Sequence, residues 1–225
     1  MFDRFRRDLA RCFSIESNDG TPALFEKLQI LASVPQLQAI GVFRFGSWLI
    51  QEDPLPKAAS YPLKAAYYLV ERAMRILWGI QIHPGAQIGA GLYIGHPGAI
   101  IIGPVKMGAD CSVSERVTIG VRTDGQGLGG GLPTMGDCVW VGAGSVVFGK
   151  IHIGSGVTIG PLTVVGRNVP PRAMVIGNPM QVLKSDHDNT TANYGAHPLP
   201  DAIVVPPRKA AVAELDDLAK KRGSG

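Results

Sequence analysis

Between Ile82 and Val165, large aliphatic residues return at every sixth position in three groups: Ile82, Ile88 and Ile94; Ile101, Met107, Val113 and Ile119; and Met135, Val141, Val147, Ile153, Ile159 and Val165. A glycine often follows directly, as in Ile88-Gly89, Met107-Gly108, Val141-Gly142 and Ile159-Gly160. Two positions ahead stands a second, usually small residue, such as Ala86, Cys111, Val117, Ser145 or Thr163. A period of six belongs neither to a helix nor to an alternating strand. It fits a three-sided coil of short strands. Each hexad makes one flat face and one corner, the aliphatic side chain fills a narrow axis, and glycine relieves the corner. Three hexads complete a turn, so these groups predict roughly four turns. Two irregularities stand out: the seven-residue step from Ile94 to Ile101, and the glycine-rich stretch Val121 to Pro133, which has to leave the coil as a loop.

Glycine marks the boundaries. Of the 29 glycines, 22 fall between Gly85 and Gly177, which divides the chain into a front (1–80), a coil (81–183) and a tail (184–225). Apolar residues in the front recur at helical spacing in three runs: from Leu24, from Leu37 to Ile50, and from about Ala58 to Trp78. Asn168-Val169-Pro170-Pro171 breaks the six-residue register, and Gly177-Asn178-Pro179 reads as a terminal turn. Most of the polar, proline-containing tail is expected to be mobile, with one short helix over 210–221.

Composition narrows the function classes. A chain of 225 residues buries a core without metal or disulfide staples. Three cysteines with no CxxC spacing read as reduced thiols in the cytoplasm. No secretory signal is expected at the start, and Lys64, Glu71, Arg72 and Arg75 interrupt the longest apolar stretch before it reaches spanning length. The net charge of +4 is modest, and its only cluster is at Arg4, Arg6, Arg7 and Arg11, so no nucleic-acid partner is expected. With Phe2 and Phe5, those arginines make the N-terminus a candidate peripheral membrane contact; a solvated, fraying end is the plainer alternative.

The hexads, together with Ile82-His83-Pro84, Gly95-His96-Pro97-Gly98, Val117-Thr118-Ile119-Gly120 and Gly177-Asn178-Pro179, resemble the serine acetyltransferase group of hexapeptide acyltransferases over about residues 75–183. The resemblance implies a mainly β fold, a left-handed parallel β-helix preceded by a small α-helical region. It also implies a homotrimer with acetyl-CoA sites between subunits, and His96 as the general base. The hand comes from the resemblance, because parallel crossovers are ordinarily right-handed. Three of the group's serine-handling features are missing: Gln81 replaces an aspartate before Ile-His-Pro, Gly95 replaces an acid before the histidine, and Gly131-Leu132-Pro133 replaces Arg-His-Pro. These departures are similar to the exopolysaccharide branch of colanic acid type, which also matches Gly79 to Ile82 and Val117 to Arg122. The expected acceptor is therefore a hydroxyl of a sugar or polysaccharide precursor. L-Serine is the alternative within enzymes, and a non-catalytic scaffold the alternative outside them.

Acetyl transfer from a thioester to an alcohol needs a base for the hydroxyl proton and an electrophile held still, with backbone amides at the glycine corners as candidate donors to the thioester oxygen. A histidine of near-neutral pKa suits the first need, although a lone histidine in a repeat is more often structural. The group's backbone runs along the CoA arm where Gly120, Gly142, Ala143 and Gly160 fall; plain corner glycines are the other reading. Arg167 is a candidate for a CoA phosphate. Gln81, Arg122 and Asp124 are the candidate acceptor-binding residues, and Trp140 could stack on a sugar ring or sit at a subunit interface. His83, His96 and His152 lack the close spacing of a zinc set, so no metal is expected.

Overall fold

The computed structural model describes residues 2–17, 22–121, 131–190, 192, 193 and 195. Four helices lead into the coil: α1 (Phe2–Glu16), α2 (Leu24–Ser33), α3 (Pro35–Ser47), which runs on as a π-helical turn over Trp48–Glu52, and α4 (Lys57–Trp78). Fourteen short strands follow in three parallel stacks. Face A contains β1 (Ile80–Ile82), β4 (Ile100–Ile102), β7 (Thr118–Gly120), β10 (Val146–Phe148) and β13 (Val164–Val165). Face B contains β2 (Gln87–Ile88), β5 (Lys106–Met107), β8 (Thr134–Met135) and β11 (His152–Ile153). Face C contains β3 (Tyr93–Ile94), β6 (Ser112–Val113), β9 (Trp140–Val141), β12 (Thr158–Ile159) and β14 (Met174–Ile176). This is the left-handed parallel β-helix with an N-terminal helical region.

A strand of two or three residues has almost no stability alone, so each coil depends on the next for its hydrogen bonds. Gly95 N donates to Val113 O at 3.0 Å, and Gly142 N to Ile159 O at 2.8 Å. Inside, the inward residues stack along one axis; Ile94, Ile119, Val141, Ile153 and Ile159 are fully buried. The glycine that follows the inward residue answers to close approach: a Cβ on Gly108 would come within 2.5 Å of the Gly136 backbone. The left-handed backbone comes two residues later, and non-glycine residues bear it at Asp110 (φ 54) and Cys138 (φ 56).

The structure corrects the repeat in two places. Ile101 is 48% exposed, while Ile100 and Ile102 are buried, and Ile102 pairs with Ile82 and Ile119. The step from Ile94 to the inward residue is therefore eight and the next, from Ile102 to Met107, is five; the extra length sits in the corner before β4, where Ala99 turns with φ 50, and Ile101 faces outward. The coil also outlasts the register break. Val169 bridges Ile153 and Val175 pairs with Ile159, both valines buried, so Pro170 and Pro171 occupy a corner within a fifth turn. β15 (Gln181–Lys184) then folds back antiparallel on β14 and closes that end.

Polar side chains close the other end. The first coil has no coil beneath it, and its outward-pointing backbone groups would be stranded. Arg44 on α3 donates to the carbonyls of Ile88 (2.7 Å) and Gly89 (2.5 Å), and also pairs with the buried Asp8 at 2.8 Å. Asp8 accepts from Leu92 N at 2.8 Å. Gln51 donates to Pro84 O and Gln36 to Gly95 O. Arg11, fully buried, donates to Gly91 O, Cys111 O and Ser112 Oγ. The N-terminus is therefore a docked helix where a fraying end was the plainer expectation, although Phe2, Arg4 and Arg6 remain exposed.

The start of the tail, where it is described, is tied to the coil. Asn189 donates to Cys138 O at 2.6 Å, and Asn193 accepts from Arg11 and donates to Asp110 O. α1 and these asparagines cover face C. Face B is polar outside, with Gln87, Lys106 and His152 exposed. Face A presents Gln81, Ile101, Thr118, Val146 and Val164 outward. The predicted helix over 210–221 lies outside the described residues.

The corrected register makes a direct test. Chemical unfolding of Ile102→Ala is expected to show a loss of about 2–5 kcal/mol, clearly more than Ile101→Ala; the reverse order would refute the register.

Candidate active site

Each corner of the coil runs as a column parallel to its axis, rising about 4.8 Å per turn. His96 lies on the column between faces C and A, in the turn that joins β3 to β4. Gly142 and Ala143 lie on the same column two turns further, about 10 Å along, and Gly160 one turn beyond them. Gly120 and Arg167 belong to the opposite edge of face A, the A-to-B column, as the pairing of Gly120 with Phe148 shows. The candidate residues thus border face A on both sides, and Gln81 stands on that face.

The His96 turn is open. His96 is exposed, and among the described residues none hydrogen-bonds its ring. A Cβ built on Gly95 or Gly98 would meet nothing within 4 Å, and the same holds at Gly120. Gly98 has φ 126, a backbone conformation that suits glycine. The floor of the turn is fixed from behind, where Nε2 of Gln36 donates to Gly95 O at 3.3 Å and Gly95 N is held by Val113 O. The result is a supported turn that presents an imidazole to an unfilled space. The apolar-periodicity reading missed Gln36, because a polar residue after the helix-starting Pro35 carries no local sign of a contact 59 positions away.

The other candidates separate. Gly142 and Gly160 are buried, and an added Cβ would lie 2.7 Å from Pro161 N and from Ile176 Cγ2, respectively. Packing between coils alone accounts for both glycines. Arg167 is exposed and donates to Met180 O at 2.9 Å, which leaves its guanidinium tied to the terminal turn. Arg122 and Asp124 lie outside the described residues. Gln81 is half-buried, opposite Ile101. Trp140 stands on face C beside the segment that Asn189 anchors, away from the His96 turn.

Two other chemistries lack support. Burial pushes the Cys111 thiol up to about 12 and that of Cys138 to about 11, so neither supplies a thiolate nucleophile near neutral pH. His83 accepts from Gly85 N within its own turn, and His152 meets Thr134 on face B. Among the described residues no three His, Cys, Asp or Glu side chains converge as a metal set.

No family model matches the chain. A relative from Mycobacterium tuberculosis, named serine acetyltransferase, is 38% identical over 170 residues, covering 74% of this chain and 69% of that protein. The crystal structure of Neisseria gonorrhoeae serine acetyltransferase in complex with serine is similar at a TM-score of 0.65 and 28% identity, over 81% of this chain and 69% of that one. A serine acetyltransferase complex with CoA shares the fold at a TM-score of 0.61 and 23% identity, over 78% and 68%. These findings back the serine alternative better than the sugar reading and give the exopolysaccharide branch no support. That assignment rested on side chains missing at Gln81, Gly95 and Leu132, and on short matches over Gly79 to Ile82 and Val117 to Arg122. A lost serine contact is not a gained sugar contact.

The packing reading of the glycines predicts different costs. Gly142→Ala is expected to lose about 1–3 kcal/mol through overpacking, and Gly120→Ala to stay within about 1 kcal/mol in the same denaturant titration. Equal losses would contradict it.

Proposed function

We propose that this chain, which belongs to the serine acetyltransferase family, transfers the acetyl group of acetyl-CoA to the side-chain hydroxyl of L-serine with His96 as general base. Its class, an acetyl-CoA-dependent acetyltransferase, follows from the family; the acceptor, the base and the assembly are our reading. The observation that carries the reading is the His96 turn: an exposed imidazole without an internal partner, between two glycines that face empty space.

His96 takes the hydroxyl proton as the oxygen attacks the thioester carbonyl carbon. The tetrahedral adduct then collapses, the carbon–sulfur bond breaks, and the CoA thiolate leaves and recovers the proton from the imidazolium. Gln81 is neutral and offers no charge to stabilise that imidazolium. Among the described residues no carboxylate hydrogen-bonds the His96 ring.

The three outer faces support a trimer. Face C is covered from within the chain and face B is polar, whereas Ile101, Val146 and Val164 leave face A apolar and uncovered. Three-fold packing through face A would bring the His96 column of one protomer towards the Gly120 column of the next. The site would then close only between subunits, with CoA along the His96 column past Ala143.

CoA release from acetyl-CoA measures the reaction. L-Serine is expected to be turned over in preference to sugars and nucleotide sugars, and His96→Ala is expected to lower kcat by about 10²–10⁴-fold with the far-ultraviolet spectrum unchanged. Preferential turnover of a sugar would return the acceptor to the polysaccharide reading, and an unaffected His96→Ala would remove the base. Val146→Asp on face A is expected to dissociate the trimer in analytical ultracentrifugation, whereas Gln87→Asp on face B leaves it intact.

A further inference from the structure

Helix α4 is 22 residues long, about 33 Å, and only Ser60 and Tyr67 on it are buried. Tyr67, Glu71 and Met74 face α3 and the first coil, where they line a small gap with Phe43, Ile80 and Ile82. At 100° per residue, the opposite arc carries Tyr61, Tyr68, Leu69, Arg72, Ile76 and Leu77, with alanines between them. Their exposure is large: 69% for Tyr61, 71% for Leu69, 72% for Ile76 and 65% for Leu77. An apolar stripe of this length on a soluble surface marks a docking face.

The charges identify what it docks to. Lys57, Lys64, Arg72 and Arg75 lie within or beside the stripe. The one acid of the helix, Glu71, is turned towards the core side, and Lys64 is paired with Asp53 at 2.7 Å. Arg72 and Arg75 are exposed, and among the described residues neither forms an ion pair. A second copy of the same face would set these arginines against one another with no carboxylate on the stripe to receive them. An anionic lipid surface meets all of them, while the aliphatic side chains enter the acyl boundary and the two exposed tyrosines sit at headgroup depth.

We infer that α4 is an in-plane membrane anchor that binds the surface of a bilayer containing anionic phospholipid. Among the described residues no helix is long and apolar enough to cross a membrane, so the helix lies on the surface. The sequence pointed to Phe2, Phe5, Arg4, Arg6 and Arg7 for such a contact, and Phe2, Arg4 and Arg6 are exposed, but α4 has the larger apolar face. Because α4 packs on the first coil, a trimer through face A would present three copies of the stripe at one end and strengthen the contact by avidity. The anchoring itself depends neither on the trimer nor on the identity of the acceptor.

Co-sedimentation of the full chain with vesicles is the test. Binding is expected to phosphatidylcholine vesicles containing phosphatidylglycerol and to be weak with phosphatidylcholine alone; added salt is expected to reduce it. Leu69→Glu with Ile76→Glu is expected to cut the bound fraction about tenfold or more, with the oligomer size and turnover of a soluble acceptor unchanged. Arg72→Gln with Arg75→Gln, which leaves the apolar stripe intact, is expected to weaken binding and flatten its salt dependence. No binding to anionic vesicles, equal binding to neutral ones, or a smaller oligomer in the Leu69→Glu, Ile76→Glu variant would overturn the inference, the last by giving the face to a second copy.

Discussion

A stack of two- and three-residue strands has no internal stopping point. Every coil leaves one side of its backbone needing a partner, and the fold exists only because both ends are closed. At the far end a strand is enough, β15 folded back on β14. At the near end the closure is made by side chains, with Arg44 held between Asp8 and the Ile88 and Gly89 carbonyls, and Arg11 reaching Gly91 and the second coil. Removing one partner from a buried pair of this kind typically costs about 3–5 kcal/mol, because the other charge is left without compensation. The helical front is thus the plug of the solenoid, and α1, α3 and the asparagines of the tail form one polar seam along it.

The same closure shapes the candidate site. Gln36 is one of the capping side chains, and the carbonyl it holds is that of Gly95, directly before His96. The first coil ends in a braced turn, and the corner insertion that follows sets Ile102 inward and leaves the turn wide. Gly95 and Gly98 keep the space around the imidazole clear. Fold and chemistry meet in a few residues: the helix that satisfies the coil's edge also fixes the floor on which the base stands.

The repeat made most of the solenoid legible, since burial on a narrow axis allows a single periodic position to be aliphatic. It misled where two isoleucines flanked that position. Ile101 carries the expected side chain at the expected count, and only pairing with Ile82 shows that Ile102 is the inward residue. The fifth coil was hidden because two prolines occupy its corner and its first step is short. α1 was hidden for a different reason: it docks through Asp8 and Arg11, and buried charge leaves no trace in apolar periodicity. Of the candidate site, His96 and its glycines could be read from local motif. Gln36 could not, because its contact spans 59 positions. Gly142 and Gly160 show the limit of motif reading, since coil packing requires a glycine whether or not a ligand passes.

Catalysis at His96 requires the acyl carrier to lie beside its imidazole. A crystal structure of the protein with bound CoA tests this most directly. The expected result is the CoA sulfur within hydrogen-bonding reach of the His96 imidazole, the pantetheine arm running along the C-to-A column past Ala143, and a second protomer closing the cleft. CoA bound on face B or C, or bound far from His96, would contradict it.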